Sequence, residues 1–454
     1  MAKKTNRARK WAMNLLKLII TVAGFYFLLT HEVSTWVRDA HGVWSVPVDH
    51  QVEQVEVDGA ELPQVDSLAE AEAVGWYVDG DLLKVRLEEG ASPARAELTV
   101  DGDAEHGSLP IGRAIADYVQ KVDAGVFIMW SLIAMGVKFI GVLTSALAWS
   151  LLLRGQGLRF PFWQQIVTAF LIGRFIGTFL PSTIGLDAYT LFEAGRYSNQ
   201  WHRAITAKAL EKFIGIAGLF AGLLLTLPAG YVVLYGAIGD KAVLVTALIG
   251  LLSGTITVGV GIGLLFPQLY RWALRMVSGV LPGFIRGHVE RFIDAATAYQ
   301  GKPGIVIGAL LLKFVTHFTT AMVYFFTALA IGVVGVSFLP IVFGSLLQIL
   351  GTLFSPTIAG EGAREAIQAL LLSNYLGGAA QAVLSAALGF VAAEAATLWG
   401  GAFLWTRTAK WRPSFMTVDG EQVDYSWLSD DDEAGFDADA IQRARARASS
   451  RREQ

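Results

Sequence analysis

The sequence predicts an all-α polytopic membrane protein with about six full spans, two re-entrant hairpins in an inverted repeat, and a small β-rich extracytoplasmic insert. Three observations lead there. Hydrophobic residues make up 54% of the 454 residues and charged ones 17%, with mean hydropathy +0.48, whereas soluble domains carry about 25% charged residues. Glycine, which is commoner in transmembrane helices than in soluble ones, occurs 48 times. Two apolar segments are also interrupted in the same way, by FLPSTIGLDA at Pro181 and by LFSPTIAGEGARE at Pro356, 175 residues apart (356 − 181). Each opens Pro-[Ser/Thr]-x-x-Gly and then places carboxylates in apolar surroundings. Corresponding Gly/Pro-broken segments in two halves of a membrane chain point to a polar site at the midplane.

Charge placement orders the elements. MAKKTNRARK is basic, so the apolar run Trp11 to Thr30 reads as a retained anchor with a cytoplasmic start; no A-x-A-like cleavage site follows it. Residues 31–122 hold about twenty carboxylates against six Lys/Arg, as a non-cytoplasmic segment should. Within them QVEQVEVDG, WYVDGDLLKVRL and ARAELTVDGD alternate in period two around Asp-Gly turns, which predicts strands and hairpins. This part is expected to be a solvated module, with an envelope protein partner as the other reading. Residues 123–406 then form the transmembrane domain.

A second span covers 124–152 and ends at Arg154 and Arg159. Residues 162–180 are short and broken, and the basic stretch RYSNQWHRAITAKALEK follows. A complete crossing there would put that stretch outside, so a re-entrant element open to the cytoplasm is expected. Spans follow at about 205–228 and 241–266, returning to a basic segment with Arg271, Arg275, Arg286, His288, Arg291 and Lys302. Those residues and Arg154 and Arg159 are read as topology determinants against anionic lipid. Residues 304–334 cross again, 338–376 re-enter from the exterior, and 381–406 return. Residues 407–454 form a polar tail, expected to be cytoplasmic and disordered or weakly helical.

Ionisable residues at membrane depth cost at least ~2.5–3.5 kcal/mol each when unpaired at a helix centre, so they mark cavities and substrate paths. Here they are Lys138, Arg174, Asp187, Lys208, Glu211, Lys212, Lys313, His317, Glu361, Arg364, Glu365 and Glu394. Together with Pro181, Ser182, Gly185, Pro356, Gly360 and Gly362 of the two breaks, all but Lys138 and Glu394 form the candidate substrate-binding set. The mixture of signs suggests internal pairing with positive charge left over for a phosphate, and Arg174 and Arg364 are the first choices because a guanidinium pairs bidentately with phosphate. Each residue also has a structural reading. The prolines and glycines kink helices or let them pack closely; Glu361 and Glu365 either couple transport to protons or neutralise Arg364; His317, one turn from Lys313, relays protons or makes an interhelical hydrogen bond. Glu394 is expected to pair with Lys138 or Lys313.

No enzyme constellation competes. Walker-type G-x-x-x-x-G-K-[ST], H-E-x-x-H and G-x-S-x-G are absent, and the basic aromatic surface needed for nucleic acid is missing. With no cysteine, disulfides and thiolate metal sites are excluded. No catalytic residue, metal or cofactor is assigned.

FLIGRFIGTFLPSTIGLDA, the following AITAKALEKFIGIAGL, and SPTIAGEGAREA together resemble the lysylphosphatidylglycerol synthase transmembrane-region family, the flippase-like integral membrane proteins. The likeness covers about 124–406. The first family pattern, L-P-x-x-x-G-G-D-x-x-R, falls on Leu180, Pro181, Gly185, Leu186, Asp187 and Thr190, with Leu186 in place of a glycine and Thr190 in place of the arginine. A following acidic-Arg pair falls on Glu211 and Lys212. The second pattern, P-T-P-G-G-x-G-x-x-E, falls on Pro356, Thr357, Ile358, Ala359, Gly360, Glu361, Gly362 and Glu365, with Ile358 and Ala359 as substitutions.

The resemblance implies lipid handling in a bacterial cytoplasmic (inner) membrane, with both termini cytoplasmic. Members that aminoacylate lipid carry a large soluble domain after the membrane region, and only about fifty residues follow the last expected span here. The expectation is therefore binding and translocation of an anionic phospholipid or lipid-linked precursor by alternating access. The alternatives are an enzyme or enzyme subunit that modifies lipid headgroups with Asp187 or Glu365 as general base, and a non-transporting envelope assembly partner acting through residues 31–122.

Overall fold

The computed structural model describes residues 111–428, apart from 121, 179–183, 270, 273–282, 334, 355–359, 361 and 409, together with shorter stretches between 19 and 110. The expected first span, 11–30, and the end of the tail, 429–454, fall largely or wholly outside the described residues.

Strands come first: β1 (Glu32–Ser34), β2 (Val37–Arg38), β3 (Val43–Pro47), β4 (Val55–Val57), β5 (Ala60–Glu61), β6 (Gly75–Asp79), β7 (Leu82–Arg86), β8 (Leu98–Val100) and β9 (Ser108–Pro110). They form a four-stranded sheet of order β2-β3-β7-β6, a three-stranded sheet β5-β4-β8 and a β1-β9 pair. Asp79 pairs with Leu82 across the turn at Gly80, whose φ of +61° suits glycine. The alternation that predicted strands also builds their core, where Trp44, Val46, Val55, Trp76, Leu83, Val85 and Val100 are buried together. The last residues of the segment read as β-rich instead form helix α1 (Ile111–Val119). Its Ile111 is buried with Val383, and its Tyr118 hydroxyl donates to the Ile331 carbonyl at 2.9 Å. The apolar spacing of Ile111 and Ile115 is that of a helix rather than a strand.

The rest of the chain is helical: α2 (Ala124–Gly155); a short strand β10 (Leu158–Arg159); a π-helical turn (Phe162–Val167) leading into α3 (Thr168–Thr178); α4 (Ile184–Ser198); α5 (Trp201–Ile238); α6 (Lys241–Leu265); α7 (Gly283–Thr297); α8 (Pro303–Ala330); α9 (Phe338–Phe354); α10 (Ala363–Leu376); α11 (Ala379–Ala395); and α12 (Trp399–Thr406). Strands β11 (Thr417–Val418) and β12 (Glu421–Gln422) follow. Five helices are long and apolar enough to cross a membrane: α2, α5, α6, α8 and the run Ala379–Thr406. The last is tightened at 397–401 by i→i+3 bonds from Thr397, Leu398, Gly400 and Gly401. Helix α5 extends ten residues beyond the expected boundary at Pro228, which it carries inside. Helix α6 exposes Val243, Leu244, Leu248, Leu251 and Val258, a continuous apolar surface that suits hydrocarbon rather than water.

Two compact units make up the chain: Met1–Lys138, Leu223–Gly250 and Thr320–Ala393 form the first, and Phe139–Gly222, Leu251–Thr319 and Glu394–Gln454 the second. Each contains one pair of helices flanking a sequence break, α9/α10 in the first unit and α3/α4 in the second. At about 1.5 Å per residue, α3, with 11 residues, spans roughly 17 Å and α10, with 14, roughly 21 Å, both short of the ~30 Å hydrocarbon core.

The tail corrects an expectation. Residues 410–428 are ordered against the second unit: β11 pairs with β10 and with β12, Met416 is buried, and Trp411, Val418, Val423, Tyr425 and Leu428 pack on that unit's core. The charged composition of 429–454 obscured this apolar stretch. A bond from the Asp419 amide to the Gly157 carbonyl (2.7 Å) and an ion pair of Asp419 with Arg203 (2.6 Å) hold the hairpin's turn.

Candidate functional site

In the second unit the charged residues around the first break meet. Their positions follow from close helix crossings. Gly141 on α2 lies against Thr316 and Thr319 of α8, and Gly218 on α5 lies against the backbone at Lys313 and Phe314; a Cβ on Gly141 would meet Thr319 Oγ1 at 2.6 Å and one on Gly218 the Phe314 nitrogen at 2.8 Å. One turn from Gly141, Ser145 accepts a hydrogen bond from Lys313 Nζ at 2.7 Å. A further turn on, the Trp149 ring lies 4.1 Å beneath Lys208 Nζ.

Glu211 is the hub. Its Oε2 accepts from Lys208 at 2.5 Å and its Oε1 from Lys313 at 2.6 Å, and all three residues are buried. Lys208 also donates to the Thr190 hydroxyl at 2.8 Å and lies 3.8 Å from Asp187 Oδ1. Asp187 Oδ2 pairs in turn with Lys212, whose side chain is 50% exposed. Among the described residues three ammonium groups thus meet two carboxylates, and the set grades from a buried end at Lys313 to an open one at Lys212. At the position where the family pattern carries arginine, a cation is supplied from another helix: Lys208 stands on the Thr190 hydroxyl. His317 is partly buried one turn beyond Lys313.

Gly185 is a packing residue. A Cβ there would fall 2.6 Å from the Gly177 backbone, and one on Gly173 would meet the Leu186 backbone at 3.0 Å, so these glycines let α3 and α4 run side by side. Pro181 and Ser182 lie outside the described residues.

One expectation needs correction. Glu394 pairs with neither Lys138 nor Lys313: its Oε1 accepts from Arg174 at 3.0 Å and its Oε2 from Thr178 at 2.7 Å. Lys313 is engaged by Glu211, and Lys138 donates to Thr320 at 3.2 Å. Arg174, a first choice for phosphate, is thus paired with Glu394.

The second break, in the first unit, is built differently. Arg364 Nε and Nη2 both reach Glu365 Oε1, at 3.0 and 2.6 Å, and the guanidinium lies 4.2 Å from the Phe390 ring centre. Glu365 Oε2 accepts the Gly362 amide at 2.8 Å, completing a cap on α10. Both side chains are buried, at 5% and 1% exposure. Gly360 and Gly362 take φ of +75° and +79°, a backbone other residues adopt at a cost, and Gly360 packs on Thr352. Of the two roles considered for Glu365, this geometry supplies the neutralising one. Pro356 and Glu361 lie outside the described residues.

The sequence reading passed over a further cluster. Glu193 accepts from Tyr189 (2.6 Å) and from Gln165, while Arg407 approaches it at 3.6 Å and stacks on Trp411 at 3.4 Å. A small cavity beside it is lined by Trp149, Gln165, Thr190 and Glu193. Glu193 lies eight residues from Gly185 within a mixed segment, so composition gave it no contrast.

Among the described residues no three of His, Cys, Asp and Glu are grouped to hold a metal. No curated protein and no solved structure matches this chain. The profile described as the lysylphosphatidylglycerol synthase TM region matches residues 112–400, nearly two thirds of the sequence. The two glycine-broken helix pairs, four of the apolar spans and most of the fifth fall within that match, and the chain belongs to this family of membrane proteins.

Proposed function

We propose that the protein binds an anionic lipid, or a lipid-linked precursor, and moves it across the bilayer by alternating access. The observation that carries this is the second unit's network, in which two buried ammonium groups, Lys208 and Lys313, share the single carboxylate of Glu211 beside an opening at Asp187 and Lys212. Buried charges persist when paired, and two buried ammonium groups that share one carboxylate suit an anionic ligand as a further partner. In this reading the two helix pairs are re-entrant, lie in opposite orientation as an inverted repeat, and open to the cytoplasm and the exterior.

The headgroup-modifying alternative asks Asp187 or Glu365 to act as a base, yet each already accepts from a cation, Lys212 and Arg364 respectively. The test is reconstitution in liposomes with headgroup-labelled phosphatidylglycerol, following label exposure on the opposite face. Exchange faster than in protein-free vesicles, slowed at least tenfold by Lys208→Gln, is the expected result. Equal rates with and without protein count against translocation. A change in the mass of the extracted lipids counts for the enzyme reading.

A further inference from the structure

Within the second unit, the tail hairpin and the start of α3 meet at Gln164, and the side chains beside that meeting point are exposed aromatics. Gln164 stands in the π-helical turn Phe162–Val167. Its carbonyl accepts from Arg407 Nη2 at 3.0 Å, and its Oε1 accepts from Ser414 Oγ at 2.6 Å. Trp163 precedes Gln164, Trp405 lies two residues before Arg407, and Phe415 follows Ser414. Their exposure is 64%, 90% and 85%, so three large rings around one residue keep most of their surface uncovered.

Phe415 is held there at a cost. Its φ is +59°, in the left-handed region that glycine or asparagine adopts more readily than a bulky side chain. The next residue, Met416, is buried in the unit's core, so the turn seats one apolar side chain and leaves the other outside. A ring kept outside on a disfavoured backbone calls for a partner.

Charge decides which partner. Residues 405–417 carry Arg407, Lys410 and Arg412 and no carboxylate, whereas 418–428 carry Asp419, Glu421 and Asp424 and no lysine or arginine. Arg159, exposed on β10, pairs in register with Thr417 and adds a cation at the aromatic end. Tryptophan beside lysine and arginine suits the boundary between bilayer and water, where anionic headgroups attract the cations. The surface also continues the last apolar run, Ala379–Thr406, whose Phe403 and Leu404 are exposed immediately before Trp405. A second copy of the chain seated on this end would set like charges against each other.

We infer that Trp163, Trp405 and Phe415 form an interfacial dock that seats the tail hairpin on the anionic leaflet where the last span ends. Lys410 and Arg159 meet lipid phosphates, the turn at Gly420 faces water, and the bonds to Gln164 tie the start of α3 to the membrane plane. The inference rests on the chain being a membrane protein and is independent of translocation.

The sequence has no cysteine, so an introduced one takes a single probe. A nitroxide, whose apolar ring stands in for the phenyl, is attached to Phe415→Cys and to Gln422→Cys, the latter exposed at the acidic end. The full-length protein is placed in nanodiscs of phosphatidylcholine with about one third phosphatidylglycerol. Collisions are measured with oxygen, which concentrates in the bilayer, and with the neutral nickel–EDDA complex, which stays in water. The ratio of oxygen to nickel collisions is expected to be about threefold higher at 415 than at 422. Pure phosphatidylcholine, or Lys410→Gln with Arg159→Gln, should bring the two positions close together without lowering the unfolding midpoint in detergent. Equal ratios in the anionic nanodiscs place the hairpin in water and overturn the dock. Shielding of 415 from both reagents means that protein, such as a second copy, covers the ring, and overturns it too. A contrast that persists in phosphatidylcholine and in the double variant overturns the assignment to anionic lipid.

Discussion

The two broken helix pairs look alike in sequence and differ in electrostatics. Around α9/α10 the charge is closed among the described residues: Arg364 and Glu365 satisfy each other, the Gly362 amide takes the remaining oxygen, and both side chains are buried. Around α3/α4 the charge is open: five ionisable residues run from the buried Lys313 through Glu211, Lys208 and Asp187 to the half-exposed Lys212. The lesson is that two segments sharing a Pro-[Ser/Thr]-x-x-Gly sequence acquire different charge environments from the helices beside them. A ligand reaching the first unit's pair must compete with Glu365 for Arg364, whereas one reaching the second can join cations that already share a carboxylate.

The largest expected effect comes from removing the hub. Glu211→Leu leaves Lys208 and Lys313 buried without their common carboxylate, and breaking a buried pair typically costs about 3–5 kcal/mol. The unfolding midpoint in detergent should fall sharply, and no single second substitution should restore it. Glu365→Leu should cost a similar amount, yet adding Arg364→Met should recover most of it, because that pair is self-contained. Recovery by one substitution in both units, or in neither, would erase the contrast.

Next in size are the close contacts. Gly400 on α12 presses on the Leu171 carbonyl, and Gly185 on the Gly177 backbone, so alanine at either position should cost about 1–3 kcal/mol through overpacking. Gly344→Ala meets only the Leu372 side chain, which can yield, and should cost less. Gly177→Ala, with its nearest contact at 3.7 Å, should be close to neutral. Thermal unfolding of the four variants ranks them directly.

The smallest effect concerns binding alone. Asp187→Asn removes a carboxylate from the open end, and retention of anionic lipid should rise a few-fold at low salt. Because Lys212 is half exposed, the gain should shrink at high salt, where exposed charges are screened. A gain independent of salt, or none, would place the anion elsewhere.

Much of this was legible in the chain. Hydropathy and basic flanks located α2, α5, α6, α8 and the last span, because hydrocarbon imposes one requirement on every residue of such a run. The Asp79–Gly80 hairpin was legible from period-two alternation. The special backbone at Gly360 and Gly362 was legible too, since Gly acts locally. Partner choice was not. Glu394 meets Arg174 across 220 residues of sequence, and nothing in either neighbourhood specifies it. The ordering of 410–428 depended on a surface it meets only after folding.

The central claim is that the second unit's lysine network, and not the first unit's arginine, receives the anion. Its most direct test compares exchange of headgroup-labelled phosphatidylglycerol in liposomes by Lys208→Gln and by the double variant Arg364→Met/Glu365→Met. Lys208→Gln leaves Glu211 paired with Lys313, and the double variant exchanges a buried ion pair for apolar side chains, so both are expected to fold. The account predicts that Lys208→Gln falls to the protein-free rate while the double variant stays within about threefold of wild type, a difference near 0.7 kcal/mol. The reverse pattern, with exchange lost in the double variant and kept in Lys208→Gln, would contradict it.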